Sequence, residues 1–201
     1  MRFHSVTVIY YNILIKYATK GYIIMVGKTH IAGGLALASV TSLIAVRTGY
    51  IDINHVLLQQ ATILTSAGLG SLLPDIDMKG STISRSNKLI SFFTRLLFTH
   101  RGFTHSPLAL LIVAVISFTA AKVIGAGNGV WIAAGFSIGY ASHILLDSLN
   151  PKGVPLLYPI KRNFSFGRIK TGTWPESLVF LISVGTTIVS EGVLIGILRL
   201  F

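Results

Sequence analysis

Five apolar stretches, each close to the length of a membrane-crossing helix, constrain this chain more than any other feature. They occupy residues 30–46, 56–73, 106–125, 130–149 and 177–200. A helix needs about 20 predominantly apolar residues to cross the hydrocarbon core of a bilayer. No stretch shows the two-residue alternation of a barrel strand, and outside a closed barrel only helices satisfy every backbone polar group within lipid. The expected fold class is therefore all-α, a polytopic membrane helix bundle of about five transmembrane helices. Composition agrees: charged residues make up 11% of the chain, against roughly 25% in a soluble domain, too few to cover a water-facing surface. The first two stretches are short and glycine-rich, and Gly33, Gly34, Gly68 and Gly70 are expected to let helix backbones approach closely.

The length of 201 residues fits one membrane-embedded domain over residues 25–201, preceded by a different kind of segment. Residues 1–24 hold a short apolar run interrupted by Asn12 and followed by Lys16 and Lys20. No small-residue cleavage site follows, which argues against a signal peptide. The segment reads as an interfacial helix or as an extension upstream of a start at Met25. Basic residues set the topology of the rest. Lys28 precedes the first span; Lys79, Arg85, Lys88, Arg95 and Arg101 lie between the second and third; Lys152, Lys161, Arg162, Arg168 and Lys170 follow the fourth. Because positive loops mark the cytoplasm, the core's N-terminal end and both long loops are expected on that side. The formal net charge of +11, sited in loops between apolar runs, suits anionic lipid headgroups rather than nucleic acid. There is no cysteine, so disulfides, zinc–thiolate sites and a cysteine nucleophile are excluded, and any metal must be held by nitrogen and oxygen.

The acids and histidines then fall into a pattern. His30 opens the first span; Asp75 and Asp77 leave the second; His100 and His105 precede the third; His143 and Asp147 close the fourth. The topology, set from Lys and Arg alone, sends all of them to one membrane face. His143 and Asp147 are four apart and share a helix face. Asp75 and Asp77 would repel one another without a cation. Polar groups inside spans are costly and usually functional. Singly, each has a bland reading: an interface histidine, a helix cap, a bond from His143 to a backbone carbonyl, a pairing of Asp147 with a loop arginine. Jointly, they indicate a metal site. The mixed His/Asp set suits zinc, with manganese or iron as alternatives, better than calcium or magnesium, and seven candidates leave room for one or two ions. Arg101, between His100 and His105, is a candidate catalytic group that holds an anionic substrate. Glu176 reads as a first-turn acid favoured by the helix dipole, with a site role as the alternative, and Glu191 as an intramembrane acid that snorkels or bonds a neighbour.

The segments Thr29-His30-Ile31-Ala32-Gly33-Gly34, Leu73-Pro74-Asp75-Ile76-Asp77, His100-Arg101-Gly102-Phe103-Thr104-His105-Ser106 and His143-Ile144-Leu145-Leu146-Asp147, followed by Asn150-Pro151-Lys152-Gly153, resemble in this order the YdjM-type bacterial inner-membrane proteins. These are described as membrane-bound metal-dependent hydrolases, some under LexA control. The resemblance covers about residues 25–174. It implies a cell-membrane location and metal-dependent hydrolysis, and the depth of the expected site, near the headgroups on the cytoplasmic face, suggests a lipid-like ester or phosphoester substrate. One rival is a metal transporter, which would want ionisable residues near mid-membrane, reachable from both sides. The other is a non-enzymatic protein whose metal only staples helices.

Overall fold

A computed structural model describes residues 25–51, 55–77, 102–125 and 127–198. The expectations for the segment 1–24, and for His100 and Arg101, fall outside the described residues, and of Asp77 only the backbone is described.

Five helices make up the bundle: α1 (Met25–Arg47), α2 (Val56–Gly70), α3 (Pro107–Ile124), α4 (Gly129–Ser148) and α5 (Trp174–Leu198). Two single-turn 3-10 segments, Leu73–Asp77 and Phe103–His105, lie between α2 and α3. No β-strand occurs among the described residues beyond one isolated bridge, Val154 with Phe164. Four segments are long and apolar enough to cross a membrane: 27–47, 56–76, 129–148 and 174–198. The third expected span differs. Its helix is shorter, because Pro107 fixes its first turn and Gly125, at φ 65°, ends it in the left-handed region. Its face still carries exposed Leu108, Leu111, Ile112, Val115 and Ile116, as a surface turned to lipid would.

Small residues position the site. α2 packs along α4, and a Cβ on Gly139 would collide with the carbonyl oxygen of Ala67, while one on Gly70 would collide with the backbone of Phe136. These two helices therefore touch backbone to backbone, which brings Ser71 at the end of α2 beside His143 on α4. Gly34 meets the same stretch, with Ala67 and Ser71 each 3.0 Å from its would-be Cβ. Gly68 does not act as expected, since a Cβ there meets only side-chain atoms at 3.9 and 4.0 Å. One apolar core joins Leu35, Ala38, Val56, Ile63, Leu64, Ala67 and Leu194. A second joins Ala109, Tyr140, Ile144 and Val154, and lies closer to the histidines.

Candidate metal centre

Each element ends where it must deliver a side chain. His30 is in the second turn of α1. α2 stops at Gly70 ahead of buried Pro74, which cannot continue a helix, and the chain turns into the 3-10 segment that carries Asp75. The Ser106 hydroxyl caps α3 by accepting from the Ala109 N–H at 3.2 Å. That cap fixes the turn just before it, where Tyr140 donates to the Thr104 carbonyl and Thr104 Oγ1 bonds His105 Nδ1 at 3.0 Å. His143 and Asp147 stand one turn apart near the end of α4.

All five side chains are buried; His105 and His143 are 0% exposed. His143 anchors one ring nitrogen, Nδ1, on the Ser71 carbonyl at 2.7 Å, which leaves Nε2 aimed at the cluster. The expected bond from His143 to a backbone carbonyl is thus present on Nδ1, and Nε2 is left facing the other histidine and the two carboxylates. His143 Nε2 lies 3.3 Å from His105 Nε2. His105 Nε2 is 3.5 Å from Asp75 Oδ1 and 3.5 Å from Asp147 Oδ2. His143 Nε2 is 3.8 Å from each of the same two oxygens. Good hydrogen bonds to carboxylates are shorter, about 2.7–3.0 Å. Four donors held tetrahedrally about 2.0–2.2 Å from one centre stand about 3.3–3.6 Å apart. Three of the five separations fall in that range and the other two are slightly longer, a spacing that ligands of one ion could adopt. The nitrogen and oxygen donors fit a zinc-like divalent ion. Asp147 also sits in the last turn of its helix, where the dipole disfavours a carboxylate, and a cation removes that penalty.

His30 completes the group from the other side. Its ring stacks on His143 with centroids 3.7 Å apart and planes 14° from parallel, and its Nε2 lies 3.6 Å from Asp147 Oδ1. Two triads meet the spacing needed to hold an ion: His30, Asp75 and His143, and His105, His143 and Asp147. The structure thus brings His30, Asp75, His105, His143 and Asp147 together from four segments of the chain.

The model of the YdjM inner membrane protein family matches residues 25–200. The chain belongs to this family. YvsG of Bacillus subtilis (strain 168) is 36% identical over 156 residues, covering 77% of this chain and 87% of YvsG. Inner membrane protein YdjM of Escherichia coli (strain K12) is 42% identical over 106 residues, covering 51% of this chain and 52% of its own length. No solved structure matches the chain. As a family member it is a multi-pass inner-membrane protein, and every described ligand candidate lies within the matched residues.

One site feature escaped the sequence reading. A cavity of about 40 Å³ lies against the cluster, lined by Thr29, His30, Asp147, Asn150, Thr171 and Glu176 among others. That volume exceeds the roughly 10–15 Å³ a water needs. The 150–173 loop forms one wall. It is strapped to the end of α4 by Phe166 N–H to the Ser148 carbonyl at 2.8 Å and Ile169 N–H to the Leu149 carbonyl at 3.0 Å. Glu176 does cap its own helix region, accepting from the Gly172 N–H. Its other oxygen accepts from Thr29 Oγ1 at 3.1 Å, so it also sets a third buried carboxylate in the cavity wall. Only its place in the first turn of the last span hinted at this.

Proposed function

We propose that the protein is a metal-dependent hydrolase that acts on a lipid-like ester or phosphoester at the cytoplasmic membrane face. The observation that carries this reading is the cage of His105, His143, Asp75 and Asp147 with a cavity beside it. A divalent ion held in the cage, zinc by the donor set, supplies Lewis acidity and lowers the pKa of water enough for a nucleophile at neutral pH. The chain's own residues do the rest. Ser71 holds the His143 ring in the orientation that presents Nε2. Thr29 and the Gly172 N–H hold Glu176 in the cavity wall, where its carboxylate can accept a proton from an incoming water. Arg101, four residues before His105, holds the substrate's negative charge. The basic loops rest on anionic headgroups, which keeps the cavity at the depth where a lipid ester lies.

The complete burial of His105 and His143 favours a second reading, in which the metal only ties helices together. Purified, metal-loaded protein assayed on a panel of lipid esters and phosphoesters separates the two. Turnover that falls about 10²–10³-fold in Arg101→Ala, with bound metal unchanged, supports the hydrolase. No turnover by the metal-loaded parent across the panel leaves the structural role.

A further inference from the structure

We infer that the centre is binuclear, with Asp147 bridging two divalent ions and His30 the nitrogen ligand of the second, on the cavity side. The inference rests on the metal reading above and divides the cluster by its geometry. The two oxygens of Asp147 face different nitrogens: Oδ2 stands 3.5 Å from His105 Nε2 and 3.8 Å from His143 Nε2, and Oδ1 stands 3.6 Å from His30 Nε2. The His30 separation is again too long for a hydrogen bond and of the length that separates two ligands of one ion. The stacked rings of His30 and His143 have their centroids 3.7 Å apart. Two-metal sites hold their ions about 3.5–4 Å apart, so a stacked imidazole pair is suited to serve one ion each.

The cavity is the independent observation. It is lined by His30 and Asp147, while His105, His143 and Asp75 do not line it. The position among His105, His143 and Asp147 is enclosed by buried side chains, whereas the position between Asp147 Oδ1 and His30 borders open space. Water and substrate can therefore complete its coordination. Charge points the same way. Asp75, Asp147 and Glu176 are three carboxylates no more than 7% exposed, and isolated buried charges are costly. One dication leaves this group net negative, and two make it net positive. A net positive centre beside an open cavity suits an anionic substrate and so selects the phosphoester over the neutral ester.

The test is the metal-to-protein ratio of the full chain in detergent after reconstitution with zinc, together with electron paramagnetic resonance of the manganese-loaded protein. The parent should bind two zinc ions per chain and give an exchange-coupled manganese signal. His30→Ala should bind one and give the six-line signal of an isolated ion. One zinc in the parent overturns the second site and leaves the metal reading standing. No zinc at all overturns both. Two zinc ions retained in His30→Ala overturn the role of His30. If that variant does not fold, an uncoupled manganese spectrum from the parent still overturns the proposal.

Discussion

Two polar clusters lie inside this bundle, and they differ in spacing and in burial, the first being buried throughout and Glu191 of the second half-buried. At one end, two aspartates meet three histidines at separations of 3.3–3.8 Å. Farther along α5, about 22 Å beyond Glu176 at 1.5 Å per residue, Gln60 of α2 donates to the carboxylate of Glu191 at 2.5 Å. There a single acid meets a neutral donor, and the contact pins α2 to α5. In the first cluster two acids and three imidazoles from four segments converge at the separations that ligands of one ion show. Convergence of several ligand-type groups suits a cation; a single interhelical bond suits packing.

Four changes probe this contrast, beginning with the one of greatest effect. Asp147→Asn removes the charge facing all three histidines. Bound metal should fall to less than about a tenth of the parent's and activity should disappear with it, since losing a charged ligand costs several kcal/mol; elemental analysis beside turnover checks this. Stripping the metal with a chelator comes next. A ligand bound at about 100 times its Kd stabilises by about 2.7 kcal/mol, so the melting temperature should drop by several degrees in the parent, whereas in His143→Ala the chelator should shift it little. Gly139→Leu acts between the clusters by forcing α2 from α4. It should cost at least about 1–3 kcal/mol and weaken metal binding by displacing Ser71 from His143, both readable by denaturant titration and metal competition. Glu191→Gln should do least. Metal content should stay at the parent's value, and stability should fall by about 0.6 kcal/mol, the average for interhelical hydrogen bonds in bacteriorhodopsin. A loss of metal in that variant would erase the distinction between pin and site.

Much of the centre was legible in the sequence because it depends on vertical position along the spans. Apolar run lengths and the Lys/Arg bias place His30, Asp75, His105, His143 and Asp147 at one level, and the structure brings these five together. What run lengths do not carry is azimuth. Which way each helix turns its face is decided by contacts such as Gly139 on Ala67 and Gly70 on Phe136, between residues far apart in the chain. For that reason Gly68 was credited with an approach that Gly135 and Gly139 make. The cavity was hidden for a similar cause. It depends on Glu176 reaching Thr29 across 147 positions, and on a loop whose path is set by backbone bonds to α4. The third apolar stretch, 106–125, matches α3 with its two caps, Ser106 and Gly125.

The most direct measurement is X-ray absorption at the metal edge on the zinc-loaded full chain, for the parent and for His143→Ala. The result expected for the parent is a first shell of nitrogen and oxygen scatterers about 2.0–2.2 Å from the ion, with the outer-shell signature of imidazole, and loss of occupancy together with part of that signature in His143→Ala. A zinc ion ringed by water oxygens without imidazole, or an unchanged spectrum in His143→Ala, would contradict a centre built from His105, His143, Asp75 and Asp147.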